Sequence, residues 1–236
     1  MNERNDGVSD VSRATSVGII MDGNRRWAKA RGAQTFEGHA AGLSKAKEIV
    51  RHAFSRGVKA VTLYAFSTEN WKRSTQEVGY LMDLFGSAMV REFEDIAREG
   101  VHVRFIGDLS RVPENLRAAA AKLEEKSAKT ASGKTLGIAL SYGGRAEILA
   151  AMRRLFSAGK NDVAEEDVNA ALWSAGMRDP DIIIRTGGEK RLSGFLTWQS
   201  IYSELFFSDS FWPAFTKEEF DSILADFALR ERRLGT

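Results

Sequence analysis

Val17-Gly18-Ile19-Ile20-Met21-Asp22-Gly23-Asn24-Arg25-Arg26-Trp27 passes from apolar to strongly basic across a single carboxylate. The apolar half reads as a buried strand, Gly23 and Asn24 supply turn chemistry, and Arg25, Arg26, Lys29 and Arg31 load the following helix with positive charge. A strand, turn and helix in that order deliver Asp22 to the carboxyl end of a strand, where open α/β sheets build their ligand crevices. One acid among guanidinium groups points to Mg²⁺ and phosphate. Magnesium takes one or two protein carboxylates and completes its shell with water and phosphate oxygens, while arginine forks clamp the rest of the anion. The same residues also read as an aspartate cap opening a solvated basic helix.

Outward from this stretch, strand-like and helix-like segments alternate. The spacing predicts a helix from Gly38 to Arg56, a strand over 60–66, and a polar loop from Ser67 to Arg73. Ser74 and Glu77 have capping-box spacing and begin one helix with Val78, Leu81, Met82, Phe85, Met89, Phe93 and Ile96 on a single face. Strands follow over 101–106, 135–140, 181–184 and 204–207, and helices over 113–130, 148–156 and 167–175. A terminal helix is capped by Thr216 and Glu219. This alternation predicts an α/β fold: one parallel sheet of about six strands with helices on both faces, spanning residues 17–236 behind a flexible arm over 1–16.

Composition narrows the chemistry. The 236 residues include no cysteine, which excludes disulfides, thiolate nucleophiles, Cys-ligated zinc and iron–sulfur clusters. His39, His52 and His102 show no metal-ligand spacing. A net charge of +2 without a long Lys/Arg block gives no reason to expect nucleic acid as a partner. The polar start does not read as a signal peptide, and no apolar run reaches the ~20 residues that span a bilayer, so a cytoplasmic protein is expected.

Asp22, the Asn70 loop, Tyr142 to Arg145 and Arg185 to Gly188 should all meet at one sheet edge. Arg185 and Arg191 flank Gly187 and Gly188, whose amides can approach an anion, and Ser193 adds a hydroxyl. The basic helix offers a second anion site through its first-turn amides and Arg26. Two anion sites sharing one carboxylate imply two phosphorylated substrates; the alternative is that the glycines make a turn and the arginines pair with surface acids. Three further groups read two ways. His39 is a phosphate donor or a local hydrogen-bonding group, Trp71 a stacking platform or a core plug, and the Phe85, Met89, Phe93 stripe a helix core face or the lining of a hydrocarbon tunnel.

Taken together, the segments Met21–Trp27, Gly38-His39, Phe66–Trp71 with Arg73, Tyr142–Arg145, Arg185–Gly188, Arg191–Ser193 and Trp198-Gln199 with Glu204 resemble the cis-prenyltransferases, most closely the bacterial undecaprenyl diphosphate synthases. The resemblance runs from Val17 to Gly235. It implies a homodimer that adds isopentenyl diphosphate to an allylic diphosphate, farnesyl diphosphate by expectation, yielding undecaprenyl diphosphate as a cell-wall lipid carrier, with peripheral contact at the inner membrane face for product release. It implies Asp22 and Glu204 as Mg²⁺ ligands, with Gly23, Asn24, Arg25, Arg26, Trp27 and His39 around the allylic diphosphate. Arg185, Arg191, Leu192 and Ser193 would hold isopentenyl diphosphate. Asn70 would stand at the proton acceptor position, among Ser67, Thr68, Glu69, Trp71 and Arg73; a neutral amide is a very poor base and would instead orient a diphosphate oxygen that takes the proton. Arg233 and Gly235 match a tail motif that reaches the partner subunit's site.

The chain departs from that pattern at Thr35, where the family often has a diphosphate-binding arginine; Arg31, one helical turn earlier, is the expected substitute. Ser141, Lys190 and Gly194 also replace frequent residues, and Lys134 stands near the expected tunnel floor, where it would end the tunnel or snorkel out. Two competing readings are a phosphotransferase with an aspartyl nucleophile, whose haloacid dehalogenase pattern wants an acid where Asn24 stands, and a noncatalytic or shorter-product prenyltransferase subunit.

Overall fold

Runs of β-branched and aromatic residues with short polar exits form six strands in the computed structural model, which describes residues 14–86 and 90–230. In chain order these are β1 (Ser16–Ile20), β2 (Ala60–Ser67), β3 (Val101–Ile106), β4 (Lys134–Tyr142), β5 (Ile182–Arg185) and β6 (Glu204–Phe207). All pair in parallel, in the order β3-β4-β2-β1-β5-β6. The chain therefore starts in the middle of the sheet, winds out through β2 to one edge, and returns past β1 to the other. A crevice opens at such a reversal, outside the carboxyl ends of the strands, and Asp22 follows the carboxyl end of β1.

Side-chain alternation divides the two faces. Val17, Ile19, Val61, Leu63, Leu136, Ile138, Ile182 and Ile184 belong to the main core, with apolar residues of α2 (Thr35–Ser55), α3 (Thr75–Leu84), α4 (Val90–Arg98), α5 (Glu114–Ala128) and α8 (Lys217–Ala228). Ile20, Tyr64, Ala139 and Ile183 face the other way and pack with Phe195, Leu196, Trp173 and Met177. The remaining helices are α1 (Asn24–Ala30), α6 (Gly144–Ser157) and α7 (Glu165–Ala171).

Several boundaries differ from the sequence expectation. Residues 14–16 are no arm: Thr15 and Ser16 donate backbone N–H bonds to Asp181 Oδ2 at 2.8 and 3.1 Å, and Ser16 opens β1; residues 1–13 lie outside the described residues. Helix α2 begins at Thr35, not Gly38, because Gln34 and Glu37 form its capping box. Gly38 then lies inside the helix, where a Cβ would stand 2.2 Å from the Asn24 carbonyl oxygen; glycine is what lets α1 lie on α2. The single helix expected after Ser74 is two, α3 and α4, and Met89 lies outside the described residues.

Candidate active site

Both oxygens of the Asp22 carboxylate meet guanidinium groups. Oδ2 accepts from Arg185 Nη2 at 2.9 Å, and Oδ1 lies 3.1 Å from Arg26 Nη2, one helical turn further along. The Asp22 main chain is fixed as well, its carbonyl accepting from Thr186 Oγ1 at 2.8 Å and Trp212 N at 2.9 Å. Two basic clefts of about 720 and 730 Å³ share Asp22, Asn24, His39 and Arg73 in their walls. The convergence expected from the strand exits is therefore present, with one carboxylate at the junction.

The first cleft is walled by α1 and the start of α2, through Arg25, Arg26, Lys29, Gln34 and Thr35. Glu77, from the first turn of α3, pairs with three of the cleft's lining residues. Its Oε1 lies 3.0 Å from Arg73 Nη1, 3.4 Å from His39 Nε2 and 3.9 Å from Arg25 Nε. The sequence showed Glu77 only as half of a capping box. Its backbone N–H does bond Ser74 Oγ at 3.3 Å, but its carboxylate organises two guanidinium groups and the His39 ring instead of returning to the cap. Burial, and then the Arg73 charge, holds the His39 imidazole below its ordinary range, so at neutral pH it is an uncharged hydrogen-bonding ring. Arg31 does not enter this cleft: its guanidinium stacks on the Trp27 ring at 4.5 Å. Lys29 lines the cleft, and stands three and four residues after Arg26 and Arg25, which places all three on one helical face.

The second cleft lies between β1, β2, the α6 start and the segment after Lys190. It is lined by Tyr64, Ser67, Thr68, Glu69, Asn70 and Arg145 on one side, and by Arg185, Leu192 and Ser193 on the other. The Arg185 side chain is only 5% exposed. Its Nη1 donates to the Arg191 carbonyl at 2.5 Å and to Ser193 Oγ at 2.8 Å, and its buried Nε has no acceptor among the described residues. Asn70 Oδ1 accepts the Ser67 N–H at 3.0 Å, capping a 3₁₀ turn over Thr68–Lys72. That bond occupies the amide oxygen and leaves the NH₂ as a donor towards the cleft, the geometry of an orienting group and not of a base.

Below the junction an apolar cavity of about 50 Å³ runs beside the sheet, lined by Met21, Leu43, Ala65, Leu81, Phe85 and Phe93 among others. Two members of the Phe85, Met89, Phe93 stripe thus both fill the core and border the cavity. Ile138 lines it from β4, and Leu136 and Lys134 follow on the same face of that strand. The Lys134 ammonium lies 5.7 Å from the Phe54 ring centroid.

Other expected site residues stand elsewhere. Trp71 is a plug: its indole donates to Ser141 Oγ at 2.9 Å, packs edge-on against Phe66 at 4.9 Å, and is covered by Arg111 at 4.6 Å. Trp27, within α1, lies beneath Arg31 and lines neither cleft. Arg191 is at the rim, its side chain 2.5 Å from Glu189 and its carbonyl turned to Arg185. The Gly187 and Gly188 amides bond the carbonyls of Ser210 and Ser208 at 2.8 and 2.9 Å, so they shape the turn and are not anion donors. Gly187 adopts φ +86°, and a Cβ there would stand 2.7 Å from Arg26 Nη2.

Within the single chain Glu204 stands apart from Asp22. It opens β6 level with Ile182, roughly 10 Å down the strand direction from the Arg185 end, and it pairs with Arg230. The chain does not bring it to Asp22. Among the described residues no three His, Cys, Asp or Glu side chains cluster as a metal cage. Asp22 by itself offers hard oxygens with unused lone pairs at the cleft junction, a donor set that fits an ion completing its shell with water and phosphate oxygens. Arg233 and Gly235 lie outside the described residues.

Paired basic clefts thus meet at one carboxylate, above an apolar cavity beside a parallel α/β sheet. The profile of the family described as "Putative undecaprenyl diphosphate synthase" matches residues 20–235, and the chain belongs to this family, the cis-prenyltransferases. An isoprenyl transferase of Clostridium perfringens is 45% identical over 93% of this chain and 88% of its own length. A geranylgeranyl-diphosphate-specific tritrans,polycis-undecaprenyl-diphosphate synthase of Thermoplasma volcanium is 42% identical over 97% of this chain and 91% of its own. The crystal structure of lavandulyl diphosphate synthase from Lavandula x intermedia, in complex with dimethylallyl diphosphate, superposes with a TM-score of 0.90 at 32% identity, covering 97% of this chain and all of that one. Among the described residues no helix is long and apolar enough to cross a membrane.

Proposed function

We propose that the chain catalyses Mg²⁺-dependent cis-elongation, condensing isopentenyl diphosphate with an allylic diphosphate to a polyprenyl diphosphate. The carrying observation is the Asp22 carboxylate held between Arg26 and Arg185, each from a different basic cleft. The α1 cleft, with Arg25, Arg26, Lys29 and Arg73, suits the allylic diphosphate, and it shares Met21, Asn24 and His39 with the apolar cavity, where the attached chain would start. Isopentenyl diphosphate then falls to Arg185 and Ser193.

As the allylic C–O bond breaks, Arg25, Arg26, Lys29 and Arg73 face the charge that gathers on the departing diphosphate. Magnesium held by Asp22 and diphosphate oxygens would supply further neutralisation of that charge. The isopentenyl double bond forms the new C–C bond, and the proton lost from its C2 passes to a diphosphate oxygen steadied by the Asn70 amide. Purified protein alone, given labelled isopentenyl diphosphate, Mg²⁺ and geranyl, farnesyl or geranylgeranyl diphosphate in turn, should make labelled organic-soluble product. No product with any primer rejects the reading.

Lys29 supplies the cation missing at Thr35. Lys29→Ala is therefore expected to raise the KM for the allylic primer about three- to tenfold, whereas Arg31→Ala should leave it within about twofold, since that side chain stacks on Trp27. Steady-state kinetics with varied primer separates the two; a larger effect from Arg31 overturns this assignment.

Lys134, its charge over Phe54, is assigned the sheet-side end of the path that the growing chain would follow. Lys134→Leu removes a cation that resists contact with hydrocarbon and should lengthen the product by one or more isoprene units, read by mass spectrometry. An unchanged product distribution rejects that role. Undecaprenyl diphosphate, the lipid carrier of cell-wall synthesis, is the proposed product of the unaltered protein, made in the cytoplasm and released at the membrane face. A homodimer is supported by exposed apolar groups at Leu149, Met152 and Phe156 on α6, and at Ile201 before and Leu205 within the edge strand β6.

A further inference from the structure

Ile20, Tyr64 and Arg185 sit side by side on neighbouring strands, Ile20 paired with both of the others, and their side chains emerge on the same face of the sheet. The segment Arg191–Leu196 crosses this row. It is tied to Arg185 through the Arg191 carbonyl and Ser193 Oγ. Its other tie is Tyr64, whose hydroxyl lies 3.3 Å from the Ser193 carbonyl and 3.2 Å from the Tyr142 carbonyl, and whose ring stacks on Phe195 with centroids 4.7 Å apart and planes at 18°.

The segment needs such ties. Ser193 has φ +51° and Leu196 φ +44°, left-handed conformations that side chains other than glycine disfavour and that persist only where surrounding contacts impose them. Ser193 is caught between two of these contacts: Arg185 holds its hydroxyl, and its carbonyl shares the single Tyr64 O–H with the Tyr142 carbonyl. Burial, and then the Glu69 charge, pushes the Tyr64 phenol above its ordinary range, so it stays a donor and does not act as a base.

We infer that Tyr64 is the positioning residue of the isopentenyl diphosphate site: its hydroxyl fixes the Ser193 backbone, and through it the placement of Ser193 Oγ and the Arg191 rim. The inference rests on the proposed condensation. It adds a residue that strand alternation alone presents as half-buried sheet packing.

Tyr64→Phe keeps the ring stack and removes only the hydroxyl. The KM for isopentenyl diphosphate should rise about tenfold, with kcat and the primer KM within about twofold. In a Ser193→Gly background, where φ +51° carries no penalty, the same change should add less than about twofold. An unchanged KM for isopentenyl diphosphate, an equal rise for both substrates, or full additivity with Ser193→Gly overturns the inference. Calorimetric titration with isopentenyl diphosphate and no primer reads Tyr64 apart from turnover: weaker binding by the variant supports the role, and equal affinity overturns it. Wild-type protein that binds isopentenyl diphosphate yet transfers nothing counts against the proposed reaction alone, and wild-type protein that does not bind it overturns both.

Discussion

Asp22→Ala should lower turnover by about 10³-fold or more while the sheet persists, because Asp22 is the carboxylate that both clefts share and its loss removes charge stabilisation at the departing diphosphate. The fold is not untouched by this change. Arg185 is nearly buried and keeps the Arg191 carbonyl and Ser193 Oγ but loses its only carboxylate partner among the described residues, at a cost of about 1–3 kcal/mol. The larger penalty of a fully buried broken pair, about 3–5 kcal/mol, does not apply, since Asp22 is 29% exposed to the cleft and water can replace it. Asp22→Asn separates the two effects: it retains an acceptor for Arg185, so thermal stability should stay closer to that of the wild type while turnover is still lost. Assay of both variants beside a melting curve checks this, and normal turnover in either rejects the role given to Asp22.

Arg185→Lys is the second large effect. Lysine keeps the charge but has no planar fork, and Arg185 uses that fork to reach Asp22, Ser193 and the Arg191 carbonyl together. Losing two of the three contacts, one of them to a charged group, should raise the KM for isopentenyl diphosphate roughly 50- to 500-fold. The primer KM should move far less, because Arg185 does not line the α1 cleft. Kinetics with each substrate varied in turn tests the split. Equal damage to both would mean that Arg185 acts through Asp22 and not through the second cleft.

The placement of Asp22 was legible because an apolar strand followed by a turn leaves few positions for the acid. Local capping also showed the start of α8 at Thr216, but it misled at Glu77. The Ser74 spacing is satisfied by that residue's amide, whereas its carboxylate answers to Arg25 and His39, 52 and 38 positions away in the chain. Lys29, in the last turn of α1, and Arg31, its C-cap, are only two positions apart, and nothing in the sequence says which of them turns to the cleft and which to Trp27. Gly187 and Gly188 suggested free amides; only the return of the chain through 208–210 shows their acceptors. Tyr64 reads as one more large residue in a strand until the 191–196 segment is seen lying across it.

By itself, the sequence determined the alternation of strands and helices, the parallel sheet, and the set of charged residues at strand ends, because these follow from periodicity and turn chemistry within about ten neighbouring residues. The tertiary structure decided which of those residues share a site. It joined Asp22 to Arg185 across 163 positions, and it placed Glu204 at the amino end of β6, away from them. The reason is physical: strand order and register set where each end emerges, and both are chosen by burial of whole strand faces, a property of the assembled core and not of any local stretch.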